Sequence, residues 1–179
     1  SELLVDLMQR SVDLLKDLTV NKVRVDLQQN PANMIWLWGE GKKPSLDAFQ
    51  DRFGLAGGVI SAVDLVKGLA KLIDMEVIDV PGATGYLDTD YSAKARYALD
   101  ALQRVDLVVV HIEAPDEASH SGSITDKVRA IESIDKEIVG PVLAEVDRLG
   151  EMRLLVMPDH FTPISERTHT REAVPFAIW

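Results

Sequence analysis

The chain has 179 residues, 46% of them hydrophobic, and a formal net charge of −10. That is enough to bury a core in one domain with a smaller piece attached, and the acidic balance argues against a nucleic-acid backbone or an anionic membrane surface as partner. Cysteine is absent, which excludes disulfides and thiolate chemistry and fits a cytoplasmic protein, and no apolar run approaches the roughly 20 residues of a membrane span.

Residues 1–18 place Leu4, Leu7, Met8, Val12, Leu15 and Leu18 near helical spacing and read as an amphipathic helix. Two short apolar or alternating runs follow, VRVDL (23–27) and MIWLWG (34–39), separated by QQNPAN. The first reads as a strand able to pair with a neighbour, and the second would put Trp36 and Trp38 on one side of a strand, as a buried or domain-facing stripe. Ser45 reads as the N-cap of a helix through Arg52 that Gly54 ends.

From Leu55 the pattern becomes a regular β/α alternation. GGVISA is a strand, and Val63 to Ile73 a helix capped by Ser61 with Asp64 at the capping-box position. MEVIDV is the next strand; after the turn-rich PGATGYLDTDYS comes a helix, AKARYALDALQR. DLVVVHI is a strand without alternation, as expected when both faces are covered. A long helix from about Thr125 to Leu149 is closed by Gly150, and MRLLVM is another such strand. Strands separated by helices imply a mostly parallel sheet between helix layers, an α/β/α architecture in which ligands gather at the carboxyl ends of the strands.

Three segments carry the chemistry. In VVVHIEAPDEASH, Asp116 and His120 stand four apart and share a face of any helical turn. In MPDHFTP, Asp159 and His160 follow an apolar run, and in THT, His169 sits between two threonines. An isolated Asp at a strand end is usually a cap, and an isolated His is usually a satisfied polar residue. Two groups in matching positions after two strands, with a third close behind, point to a metal site instead. Mixed carboxylate and imidazole donors suit Mn²⁺ or Zn²⁺, whereas Ca²⁺ and Mg²⁺ favour oxygen alone. Five ligands exceed one ordinary site and fall short of two, so others must come from elsewhere. His111 reads as packing or hydrogen bonding near the site, and Asp88 and Asp90 as caps before substrate groups.

VHIEAPDEASH, MPDHFTP and THTREAVPF resemble the metal-binding segments of the alkaline phosphatase superfamily, and specifically of the cofactor-independent (2,3-bisphosphoglycerate-independent) phosphoglycerate mutases. NPANMIWLWGEG, FGLAGGVISAVDLVKGLAKL, VPGATGYLDTDYSAKA and IESIDKEIVGPVL are similar to the archaeal-type branch, so the resemblance covers nearly the whole chain. It implies an alkaline-phosphatase-like core, with Asp116, His120 and His169 on one divalent ion and Asp159 and His160 on a second, Mn²⁺ first and Zn²⁺ as the alternative. In that family an aspartate and a serine nucleophile from an earlier segment complete the second ion, and neither has a counterpart here. The resemblance therefore implies a C-terminal fragment, with residues 1–43 the tail of an inserted cap domain and 44–179 the C-terminal part of the core. Ser119 departs from the family's glycine before the histidine, which touches only fine geometry.

The activity implied for the parent protein is interconversion of 3-phosphoglycerate and 2-phosphoglycerate through a phosphoserine, without added bisphosphoglycerate. Lys67 is the nominated catalytic and substrate-binding cation and Arg167 a weaker one; the opposing reading of Lys67 is a lysine on the polar face of its helix. The partner is a small phosphorylated substrate. Another phosphoryl transfer on the same core, a phosphatase or a homoserine-kinase-like enzyme, stays open, as does a truncated domain without activity. For the chain alone the expectation is no turnover, and self-association through uncovered sheet edges.

Overall fold

In the computed structural model, which describes residues 1–179, the first helix begins where the sequence offers a cap. Ser1 Oγ accepts from the Leu4 N–H at 3.4 Å, opening α1 (Glu2–Lys16). The backbone separates into two units, Ser1–Pro44 and Ser45–Trp179. In the first unit VRVDL does not form a strand: Val23 to Asp26 close α2 (Thr19–Asp26). This unit holds no second strand to take a ladder, so the backbone groups pair locally as a helix. Asn21 then ties that helix down, donating to Leu15 O and Ala32 O at 2.7 Å each and accepting from the Ala32 N–H at 2.9 Å. MIWLWG likewise has no regular structure, and the expected buried tryptophan stripe is absent: Trp36 and Trp38 are 68% and 82% exposed.

The second unit starts with α3 (Phe49–Phe53), closed by Gly54 in the left-handed region at φ 71°. Ser45 is not its cap. The helix starts after Ala48, where the Phe49 N–H finds the Ile73 carbonyl at 2.7 Å instead of a side chain.

Three parallel strands follow in the spatial order β2-β1-β3: β1 (Gly57–Ile60), β2 (Glu76–Val77) and β3 (Leu107–Val110). The crossovers carry α4 (Asp64–Leu72) and α5 (Tyr91–Ala101). Ser61 does not cap α4 as drawn from the sequence; its Oγ accepts from the Val63 N–H at 3.0 Å, one residue ahead of the helix. Asp90 does cap α5, accepting from the Ala93 N–H at 2.8 Å. All four residues of β1 are buried, and a Cβ on Gly57 or Gly58 would lie 2.5 Å from Met75 Cε or 2.8 Å from Ile78 Cδ1. Glycine there lets the sheet approach its own core. Ile60, Ile78, Ala98 and Ala101 form that core between sheet and α5, and burying a side chain such as Ile60 stabilises by about 1.5–3 kcal/mol.

Three further expectations change. β3 is not covered on both faces: Leu107 and Val109 are exposed, because α5 packs on the opposite face, where Val108 and Val110 join the core. The single long helix is broken into α7 (Ile124–Ile134), a π-helical turn (Asp135–Val139), α8 (Gly140–Ala144) and α9 (Val146–Leu149). Pro141 offers no N–H to the Glu137 carbonyl four residues back and its ring crowds that oxygen, so the winding loosens there. α6 (Ala114–Ser121) precedes them, and Gly150 ends the run at φ 80°. MRLLVM does not join the parallel sheet. Its β4 (Leu155–Val156) pairs antiparallel with β5 (Ala177–Ile178) from the last apolar run, and Leu154 and Trp179 exchange N–H···O bonds of 3.1 and 3.0 Å. No helix is long and apolar enough to cross a membrane.

Candidate metal centre

Beyond β3 the chain runs through His111 and Glu113 into α6, whose first turn holds Pro115. The helix sets Asp116 and His120 on one face, with Asp116 Oδ2 3.1 Å from His120 Nε2. Ser119 is fully buried and donates to the Pro115 carbonyl at 2.7 Å, so only a small residue fits. The facing wall is built from the segments after β4. A single antiparallel bridge, Phe161 to Thr170, with the Thr170 N–H donating to Phe161 O at 2.9 Å, brings the two histidine segments together. His160 and His169 stack with centroids 3.8 Å apart.

Asp116, His160 and His169 offer ligand atoms within 4.8 Å of one another. His120 joins them, its Nε2 3.2 Å from His169 Nε2, and His169 Nε2 lies 3.4 Å from Asp116 Oδ1. The other nitrogen of His120, Nδ1, is 2.8 Å from the Arg167 carbonyl. A carbonyl only accepts, so Nδ1 carries a proton; Nε2 donates to the Asp116 carboxylate when the ring is charged and offers its lone pair toward Asp116 and His169 when the ring is neutral. Arg167 adopts φ 52°, a left-handed conformation uncommon outside glycine, in presenting that carbonyl.

Charge follows geometry. Burial pushes the Asp116 carboxyl up, but the Thr162 hydroxyl and the surrounding histidines outweigh it and hold the carboxyl below its ordinary value. The Arg167 carbonyl, with help from Asp116 and Glu117, holds His120 above its ordinary value despite desolvation. An ionised carboxylate facing several imidazole nitrogens is a donor set that a divalent cation satisfies, and Mn²⁺ and Zn²⁺ accept this mixture of oxygen and nitrogen. The residues present therefore fit a metal ion.

The other residues singled out from the sequence lie around this cluster. Asp159 is at its rim, mostly exposed, accepting from the His160 N–H at 3.0 Å with its carboxylate 3.5 Å from His160 Nε2. Lys67 is not hydrogen-bonded to the cluster; it pairs with Asp79, just past β2, at 3.2 Å. The Arg167 guanidinium lies over Gly122, where a Cβ would meet it at 2.7 Å. His111 is held by Ser61 Oγ at 3.1 Å from Nδ1 and by Glu113 Oε2 at 3.4 Å from Nε2.

Sequence reasoning passed over two residues. Thr162 is buried and touches both Asp116 and His160; its place two residues after His160 inside MPDHFTP was the available signal. Lys94 is fully buried, its Nζ donating to the His111 carbonyl at 3.3 Å. Its signal was the spacing Lys94, Ala98, Ala101, which puts lysine on the small-residue face of α5.

An α/β fold with paired carboxylate and imidazole groups beyond its strands defines a metal-dependent enzyme core. Residues 16–179 match the family described as the Metalloenzyme superfamily, and the chain belongs to it. It is 54% identical over 179 residues to the 2,3-bisphosphoglycerate-independent phosphoglycerate mutase of Methanothrix thermoacetophila, covering 99% of this chain and 46% of that protein. A probable enzyme of the same name from Geobacter sulfurreducens is 46% identical over 100% of this chain and 45% of its own length. The chain thus spans about half the length of the curated relatives it matches. Among solved structures, a Pyrococcus horikoshii protein superposes with a TM-score of 0.85 at 28% identity, over 99% of this chain and 46% of the other. The cofactor-independent phosphoglycerate mutase of Thermoplasma acidophilum does so with a TM-score of 0.52 at 26% identity, over 85% of this chain and 37% of the other. These relatives fit an alkaline-phosphatase-like core and bear out the resemblance seen in the motifs.

Proposed function

We propose that the chain is the metal-carrying part of a cofactor-independent phosphoglycerate mutase that interconverts 3-phosphoglycerate and 2-phosphoglycerate. The observation that carries this reading is the 54% identity, along essentially the whole chain, to a protein of that name. The convergence of Asp116, His160 and His169 supports the metal-carrying part of this reading alone. In this reading Asp116, His120 and His169 hold one divalent ion and Asp159 and His160 help hold a second. Mn²⁺ is the preferred ion and Zn²⁺ the alternative. When bound, such ions polarise phosphoryl oxygens and lower the pKa of an attacking hydroxyl.

The chain's own residues would do the rest. Arg167 keeps the His120 lone pair aimed inward, and α6 fixes Asp116 beside it. Lys67 would meet substrate phosphate by exchanging its pairing with Asp79, whose side chain is 84% exposed and easily released. The substrate is a small phosphorylated acid, and the net charge of −10 supports neither a nucleic acid nor a membrane as partner. Residues 1–43 belong to the cap and 44–179 to the core, and a cytoplasmic location accords with the absence of cysteine.

The test is a chimera in which this chain replaces the matching segment of the Methanothrix thermoacetophila mutase. With Mn²⁺ and no bisphosphoglycerate it is expected to interconvert the two phosphoglycerates, and to stop when a chelator is added. A folded, Mn²⁺-loaded chimera that leaves both phosphoglycerates untouched would sink the mutase reading, and phosphorylation of homoserine by ATP would replace it.

A further inference from the structure

We propose that Thr162 is the positioning residue of the metal centre, its one hydroxyl holding the Asp116 carboxylate in a single orientation and His160 in a single tautomer. This rests on the metal reading of the cluster. Thr162 is 4% exposed and cannot satisfy its hydroxyl with bulk water. Its Oγ1 contacts two groups, Asp116 Oδ1 and His160 Nδ1, the latter at 3.2 Å. The ionised carboxylate has no proton to give, so the threonine O–H must donate to it. That spends its only proton. Toward His160 the oxygen can then only accept, so His160 Nδ1 is the protonated nitrogen and Nε2 keeps its lone pair, with the Asp159 carboxylate 3.5 Å away.

His120 reaches the same state by a different route, since its Nδ1 faces the Arg167 carbonyl. Two histidines from separate segments are thus set to present Nε2, one through a backbone carbonyl and one through Thr162. Thr162 is itself anchored, because Lys127 Nζ on α7 donates to its carbonyl at 2.9 Å. It also joins residues assigned to different ions, Asp116 to the first and His160 to the second, so losing its hydroxyl should loosen both. Partners that orient metal ligands are typically worth 10–100-fold in metal affinity.

Two measurements on this chain decide the matter. Long-range proton–nitrogen NMR of the metal-free chain at about pH 8, above the ordinary histidine value of about 6.5, reads the His160 tautomer. Titration with Mn²⁺, followed by the spin-resonance signal of the free ion, reads affinity. The unaltered chain is expected to show His160 protonated at Nδ1. Thr162→Val should move the proton toward Nε2 and weaken Mn²⁺ binding by about 10–100-fold, and Thr162→Ser should restore both. His160 protonated at Nε2 in the unaltered chain overturns the inference without any variant. So does a Thr162→Val chain that loses affinity while keeping the original tautomer, which is what a packing defect would produce. If neither the unaltered chain nor its chimera with the Methanothrix thermoacetophila mutase binds Mn²⁺, the metal reading fails and takes this inference with it, whereas Mn²⁺ binding with the wrong tautomer removes the inference alone.

Discussion

His111 and His120 sit at the two ends of one short stretch, and their surroundings assign them opposite work. Both ring nitrogens of His111 are engaged by side chains of this chain, Ser61 at Nδ1 and Glu113 at Nε2. Both nitrogens of His120 have partners too, but those of Nε2 are themselves candidate ligands: Nδ1 faces the Arg167 carbonyl, while Nε2 lies 3.1 Å from Asp116 Oδ2 and 3.2 Å from His169 Nε2. A histidine whose two nitrogens face a hydroxyl and a carboxylate outside the ligand cluster is a structural element. One that is fixed at Nδ1 by a backbone carbonyl and turns Nε2 into the cluster is oriented to give its lone pair to a metal that the same neighbours share. The same stretch of sequence therefore holds a framework histidine and a candidate ligand, and only the partners tell them apart.

The largest expected effect comes from breaking the second environment while leaving the first intact. Asp116→Ala removes the carboxylate around which His120, His160 and His169 gather. Mn²⁺ affinity should drop by more than about 100-fold, beyond the range typical of an orienting partner. His111→Asn should leave affinity within about twofold, because no nitrogen of His111 is available to a metal. Comparable losses in the two variants, measured by titration of free Mn²⁺, would erase the distinction.

A smaller effect should appear with pH. His120 is held above its ordinary value and Asp116 below its own. In the metal-free chain His120 contributes stability that is full below the unfolded histidine value and is lost as pH rises through the folded one. Asp116 contributes stability that is present above the unfolded carboxylate value and is lost as pH falls through its depressed folded value. Metal binding reverses the interest of the histidine, since a ligand nitrogen must be unprotonated. Mn²⁺ affinity should accordingly rise with pH through a midpoint above the ordinary histidine value of about 6.5. A midpoint below that value would contradict the role given to the Arg167 carbonyl.

How far this was legible in the sequence differs by element. Spacing of four was enough to put Asp116 beside His120, since any helical turn does so, and Asp90 and Gly54 marked a helix start and a helix end by local chemistry alone. The meeting of His160 with His169 was inferable only as motif logic, because a one-bridge pairing of Phe161 with Thr170 leaves no periodic trace. VRVDL was misread because alternation over five residues cannot be told from a helix turn when no partner strand exists to decide it. MRLLVM was misread for the converse reason: its partner lies more than twenty residues on, in the terminal run, and an antiparallel two-residue ladder looks in sequence like a strand of the main sheet. The π-helical turn was readable in retrospect from Pro141, whose effect falls on the residues before it.

The smallest expected effect concerns what holds the framework histidine. Lys94 is fully buried and its amino group has one partner, the His111 carbonyl at 3.3 Å, for three donors. Burial pushes its pKa below the ordinary lysine value, and the charge of Glu113 only partly restores it. Between the lowered folded value and the unfolded one the unfolded chain binds more protons, so stability rises with pH through that window, and the penalty is complete below it. Lys94→Met keeps the length and bulk of the side chain and removes the charge. It should raise the urea midpoint at about pH 7, with the gain shrinking toward about pH 10, where the unaltered lysine approaches neutrality in both states. Mn²⁺ affinity should not move, because His111 is not a ligand. A lower midpoint for Lys94→Met at neutral pH would mean that the charge, through Glu113 and the His111 carbonyl, outweighs its own desolvation, and that the framework around His111 is held by ions and not by packing.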